Sequence, residues 1–182
     1  LVDYDAEKDA ANIGKHGVSL SFGARLFDDP DHVIAASFRP VDGEDRYKVV
    51  GVVDARLWTA IYVWRGDTIR MISVRGAMLV KEASMIAIEA DPDDPDDFPI
   101  SVAGVERALM GRRIRQLRQR LGMTQEAFAR TYGIPLANIR QYEIGRTMPP
   151  PAVRAYLKVI AAEPEMAARA VASSPRTYRL PL

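Results

Sequence analysis

Seven consecutive residues, Asp91-Pro92-Asp93-Asp94-Pro95-Asp96-Asp97, constrain the fold of this 182-residue chain more than any other feature. The two prolines fix φ and withhold backbone donors, and the five carboxylates repel one another, so no helix or central strand is expected to run through them. The charge follows the same division. Residues 1–77 carry a net charge of −2, residues 78–105 of −6 and residues 106–182 of +9, all hidden within an overall +1. The chain therefore reads as three blocks: a first module over 1–77, an acidic linker over 78–105 with a helix near Val80–Ile88, and a basic module over 106–182. A strongly basic block is drawn to polyanions, and an acidic one can repel or imitate them.

With 48% apolar residues the chain can bury a core. The absence of cysteine excludes a disulfide scaffold, a thiolate zinc site and a thiol nucleophile. No His/Asp/Glu spacing suggests a metal site, so neither a metal nor another cofactor is expected. The apolar runs are short and no secretory leader is visible, which points to a cytoplasmic protein with no membrane partner.

The first module opens with helix signals. Asp5 can cap a helix through Lys15 that stops at Gly17, and Ser19 can cap a shorter one ending near Asp28-Asp29-Pro30. Four β-rich runs follow: Val33–Phe38, Arg46–Val53, Leu57–Trp64 and Thr68–Arg75. The short turns between the last three force antiparallel neighbours. The expectation is an α+β layer of two helices on a meander of three or four strands. Alternation puts Tyr47, Val49 and Val53 under the helices and leaves Arg46, Lys48 and Arg70 on a face that needs no core. Arg75 has the opposite parity to Arg70 and reaches that face only if the strand bulges or ends before it.

A cationic sheet face beside a proton-transfer group suits acid–base chemistry at a phosphate, which needs a base, an acid and cations for the developing charge. Lys15 and His16 close the first helix, and Arg46, Lys48 and Arg70 line one sheet face. His16 has the side chain best suited to proton transfer near neutrality, and Glu44 is the second candidate base. Each has an ordinary alternative: Lys15 and His16 as cations at a helix C-terminus, Arg46 and Lys48 as solubilising charges on an open face, Arg70 as a partner of Asp67 or Asp54. Trp58 and Trp64 are read as core or interface.

An ordered set of short motifs runs through this module: Asp5-x-x-Lys8 with Asn12, Lys15-His16-Gly17-Val18-Ser19, Phe27-Asp28-Asp29-Pro30, Gly43-Glu44-Asp45-Arg46, Gly51 and Ile72-Ser73-Val74-Arg75. Together they resemble the BrnT toxins of bacterial toxin–antitoxin pairs. The resemblance implies a RelE-like α+β fold and a metal-independent endoribonuclease. It marks Lys15, Arg46 and Arg75 as catalytic, with His16 next. Arg46 and Arg75 would hold the scissile phosphate, either Lys15 or His16 would move protons, and Lys48 and Arg70 would bind RNA phosphates.

The basic module is expected to be an all-α bundle. Glu106–Leu121 has helical apolar spacing, Thr124 caps the next helix, Gly133 breaks it, Pro135 begins another that Gly145 ends, and Pro151–Ala162 forms a fourth. The tail after Ser173 is read as loosely ordered. Within Gln125–Glu143, Ala129 is small at a helix crossing, Gly133 supplies the turn, and Phe128, Ile134, Ile139 and Tyr142 share a core. This pattern resembles the Xre/phage-repressor helix-turn-helix family, whose second motif helix lies in the major groove. By position, Leu136, Ala137, Asn138, Arg140 and Gln141 would face DNA, Gln125 and Arg146 would lie near its backbone, and the basic helix 112–120 would add nonspecific attraction.

The combined expectation is a type II toxin–antitoxin unit in one chain. Its partners would be RNA, operator DNA and a second copy or a larger toxin–antitoxin assembly, with the antitoxin part repressing its own operon. The aspartates of 89–97 would lie over Arg46, Lys48, Arg70 and Arg75 in place of RNA phosphates, or else form a solvated spacer. The competing expectation is a transcriptional regulator whose first module is catalytically silent and serves for oligomerisation or sensing.

Overall fold

The computed structural model describes residues 2–37, 43–77 and 90–173. The expected helix near Val80–Ile88, the last residue of the Val33–Phe38 strand and the tail after Ser173 lie outside the described residues.

Helix α1 (Ala6–His16) begins where the Asp5 carboxylate accepts the Glu7 and Lys8 amides at 3.0 and 3.1 Å, and ends at Gly17, whose φ of 71° only glycine adopts without strain. A 3₁₀ segment, Leu20–Asp28, follows its Ser19 cap. Beneath them lies a five-stranded sheet of order β1-β5-β4-β3-β2, made of β1 (Val2–Tyr4), β2 (Val33–Ser37), β3 (Arg46–Val53), β4 (Arg56–Arg65) and β5 (Thr68–Gly76). The β2–β5 pairings are antiparallel as expected. β1 is an addition that pairs parallel to β5. Three residues carry no readable period, so only the partner strand identifies them.

Leu20, Leu26, Tyr47, Val49, Tyr62, Met71 and Val74 form the core beneath the helices. Asn12, buried in α1, pins that helix to β5. Its amide donates to the Val18 and Val74 carbonyls, both at 2.8 Å, and its carbonyl accepts the Val74 amide at 3.0 Å. The strand β5 bulges opposite Ile61/Tyr62, where Ile61 pairs with Ser73 and Tyr62 with Met71, leaving Ile72 as the extra residue. The bulge reverses the alternation, so Met71 and Val74 both enter the core while Ser73 and Arg75 turn to the opposite face.

That opposite face is not open, contrary to the expectation. Val33 and Ala35 on β2 pack against Ala108, with Ile100 and Leu109 beside them. Ala108 and Leu109 belong to α2 (Val102–Arg120), which starts four residues earlier than its apolar spacing suggests because Ser101 caps it, accepting the Gly104 amide at 3.1 Å. Helices α3 (Gln125–Tyr132), α4 (Leu136–Glu143), α5 (Pro151–Ala162) and α6 (Pro164–Ser173) complete the second module. Helix α6 was not expected, and Pro135 precedes α4 as its cap rather than forming its first residue. Ile114, Leu117, Phe128, Ile139, Leu157 and Ile160 are buried among its core residues. Gly111 lets α2 meet the end of α4: a Cβ there would lie 2.5 Å from the Tyr142 carbonyl oxygen.

The two modules are joined along β2. Ile144 packs against the core of the first module. Gly145, at φ 66°, passes so close that an added Cβ would sit 2.6 Å from the Ile34 carbonyl oxygen. Arg115 donates to the His32 carbonyl, Gln116 to Asp31, and Arg146 pairs with Asp45 at 2.8 Å.

His32 is buried at this junction. Burial, reinforced by the Arg115 charge, holds its imidazole down at about 4. The folded chain therefore keeps His32 neutral, whereas the unfolded chain protonates it near its ordinary value of about 6.5. The stabilisation is complete above that value and is lost as pH falls toward 4, by on the order of 2–3 kcal/mol. Urea unfolding at pH 7.5, 6 and 5 should show this loss, and His32→Gln should flatten that part of the slope.

Candidate RNA-binding and DNA-binding sites

The described part of the linker, from residue 90 onward, folds into two consecutive turns built from its own sequence repeat. Asp-Pro-Asp occurs twice in register, and each copy makes a turn with proline at its second position. The Asp94 amide donates to the Asp91 carbonyl at 3.1 Å and the Asp97 amide to the Asp94 carbonyl at 3.0 Å. The Asp91 and Asp94 carboxylates accept the amides two residues on, each at 3.0 Å. The three-residue repeat divides the aspartates: Asp94 and Asp97 are buried against the sheet and Asp93 is exposed.

The carboxylates meet cations from three separate elements. Asp97 is held by the buried Lys48 of β3 and by Arg75 Nη2 of β5 at 2.6 Å, and it accepts the Asp91 amide at 2.8 Å. Burial by itself would raise the Asp97 carboxyl. The bonds from Lys48, Arg75 and the Asp91 amide outweigh it and hold the group below the usual carboxylate range. Asp96 takes Arg46 Nη1 at 2.7 Å and Lys8 of α1 at 3.6 Å. Asp94 accepts the Ser73 hydroxyl at 2.6 Å, and Asp91 lies 4.0 Å from Arg75 Nε. Lys15 donates to the Asp93 backbone carbonyl at 2.6 Å. His16 is half-buried beside this group. Its imidazole is held below its ordinary value by burial first and then by Lys15 and Arg75, against the opposing pull of Asp94 and Asp91.

Lys15, His16, Arg46, Lys48 and Arg75 therefore come together. Arg70 and Glu44 do not. Arg70 shares the sheet face but is drawn to the strand absent from the sequence reading, pairing with Asp3 at 3.1 Å and with Asp5 at 3.8 Å. Glu44 pairs with Arg65 at 2.7 Å, away from the cluster. The sequence reading did not assign roles to Lys8 and Ser73. Both sit within its quoted motifs, and for Ser73 the missing signal was the bulge at Ile72.

In the second module, α3, the Gly133 turn (φ 65°) and α4 form the helix pair, with Thr124 capping α3. Ala137, Asn138 and Arg140 are exposed on α4, Gln141 is half-buried, and Arg140 pairs with Glu126 at 2.9 Å. Three of the residues expected to face DNA are engaged within the chain. Leu136 packs on the helical core. Gln125 donates to the buried Glu143 at 2.8 Å, and Arg146 is held by Asp45 of the first module. Of the basic helix 112–120, Arg115 is buried and Arg118 makes a two-pronged pair with Glu143 at 2.6 and 2.9 Å, which leaves Arg113 and Arg120 exposed.

A family model described as the ribonuclease toxin BrnT of type II toxin–antitoxin systems matches residues 4–78, and a helix-turn-helix domain model matches residues 109–170. The chain joins a BrnT-type toxin domain to a helix-turn-helix domain. No curated protein matches it. The BrnT-type match ends at residue 78, so the carboxylates over the cation cluster, at 91–97, come from outside it. No described helix is long and apolar enough to cross a membrane.

Removing one member of a buried ion pair strands the other. Asp97→Ala should therefore destabilise the chain by about 3–5 kcal/mol. Asp96→Ala, whose side chain is 29% exposed, should cost no more than about 1 kcal/mol. Urea unfolding of the two variants checks the difference.

Proposed function

We propose that the BrnT-type domain is an endoribonuclease, that its substrate site is the Lys15–His16–Arg46–Lys48–Arg75 cluster, and that the chain's own linker holds it in check. One observation carries this reading: cations from α1, β3 and β5 converge on residues 93–97, where Arg46, Lys48 and Arg75 already grip carboxylates and Lys15 a backbone carbonyl. A site that binds several carboxylates through arginine and lysine suits the phosphates of a polynucleotide.

In the proposed reaction the neutral His16 imidazole takes the 2′-hydroxyl proton. The 2′-oxygen attacks phosphorus as the bond to the 5′-oxygen breaks, and the Lys15 ammonium protonates that oxygen. The products are a 2′,3′-cyclic phosphate and a 5′-hydroxyl. Arg46 and Arg75 neutralise the phosphoryl oxygens, and none of these steps requires a metal. The depressed His16 proton affinity supports the base role. The linker is covalently tethered, so its effective concentration is about millimolar and even a weak contact excludes RNA.

The helix-turn-helix domain is the antitoxin part in this reading. It binds operator DNA as a dimer and represses its own operon, with Asn138 and Arg140 on the exposed face of α4 reading bases and Ala137 contacting a thymine methyl.

The nuclease assignment is tested by incubating RNA with EDTA and either the intact chain or Asp91→Asn/Asp96→Asn/Asp97→Asn, with folding checked by circular dichroism. The variant should cut at least about tenfold faster, and adding Arg75→Ala should reduce its rate about a hundredfold. A folded variant that leaves RNA intact while the chain binds DNA would instead establish the silent-domain regulator. For the other module, Asn138→Ala and Arg140→Ala should each weaken operator binding by about 1–3 kcal/mol. Gel-shift titration at fixed salt measures this.

A further inference from the structure

Asp97 and Phe98 place an anion and a planar ring side by side. The Asp97 carboxylate lies between Lys48 and Arg75. The next residue, Phe98, is only 1% exposed, and its ring centre lies 5.1 Å from the Lys48 ammonium. Lys48 Nζ also donates to the Phe98 carbonyl at 2.8 Å. A phosphate and the base of an adjoining nucleotide present the same pair of features. We infer that the space filled by the Phe98 ring is a nucleobase slot beside the phosphate position held by Asp97. This inference rests on the ribonuclease reading and names the part of the substrate that the site recognises.

The choice of residues at this point argues against a purely structural anchor. An apolar anchor is best served by apolar walls, yet the group beneath this ring is a fully buried lysine. Burying an ammonium costs several kcal/mol, and replacing a buried ion pair with apolar residues is often neutral or stabilising. A lysine there fits a site that must hold a cation when the linker is absent. An ammonium under an aromatic ring gains cation–π attraction, and bases share the π-face that makes aromatic slots tolerant of sequence.

Lys48 lies over the face of the ring, so the slot takes any base through its π-face. The Ser73 hydroxyl, 2.6 Å from Asp94, and Lys8, 3.6 Å from Asp96, extend the same track on either side and would contact neighbouring backbone groups.

The test uses the full chain with Asp97→Asn/Phe98→Ala, or Asp97→Asn/Phe98→Leu if the alanine variant does not fold by circular dichroism, so that both the phosphate position and the slot are vacated. Binding of the four nucleoside 3′-monophosphates, ribose 5-phosphate and inorganic phosphate is measured by calorimetry. All four nucleoside monophosphates should bind at least about tenfold more tightly than ribose 5-phosphate. The intact chain, its slot filled, should bind all of them at least tenfold more weakly than the variant. Equal binding of ribose 5-phosphate and the nucleotides, or a folded variant that binds no nucleotide, overturns the slot. RNA cleavage is read separately. Base-dependent binding without cleavage keeps the slot and removes the ribonuclease reading, whereas cleavage without base-dependent binding does the reverse.

Discussion

The contact between Asp97 and the Lys48–Arg75 pair organises the centre of this molecule. A lysine with no exposed surface needs a counter-charge, because stranding an ammonium in that position costs about 3–5 kcal/mol, a large share of the stability of a domain. No other β3 or β5 side chain supplies that charge. It comes from a linker residue forty-nine positions away in sequence, so closing the first module depends on a segment that follows it. Asp96 on Arg46 and Asp94 on Ser73 then fix the linker's direction, and Ser101 caps α2 directly beyond it. The result is a continuous path from the cation cluster to the helical module.

The same path explains why the sheet is covered on both faces. The helices α1 and the 3₁₀ segment take one face, and the linker and α2 take the other. Ile144 and Gly145 close over β2, and Arg146 is held by Asp45, the residue before Arg46. The helix-turn-helix domain therefore shares structure with the toxin domain and is more than a tethered neighbour.

Much of this was legible because it is local. Asp5, Ser19, Thr124, Gly17 and Gly133 act on backbone groups within a few residues, so the helix ends they set can be read from neighbouring letters. The β3 boundaries, the antiparallel hairpins and the α5 boundaries follow from composition and turn residues in the same way. Among site residues, Lys15, His16, Arg46 and Arg75 could be nominated from motif order. Glu44 and Arg70 stay outside the cluster because each has a nearer partner, Arg65 and Asp3, that becomes visible only once strands are paired.

The sequence by itself determined the three-block charge division, the helix caps, the tandem Asp-Pro turns and the helix-turn-helix spacing, since all of these rest on short-range sterics, hydrogen bonds and net charge. Tertiary structure alone decided that Ile72 bulges and brings Arg75 to the Lys48 face, that Asn12 locks α1 beside it, and that the linker fills the cluster. Strand register and the pairing of distant charges depend on chain segments brought together across tens of residues, and no local pattern encodes which of several available cations a given carboxylate will reach.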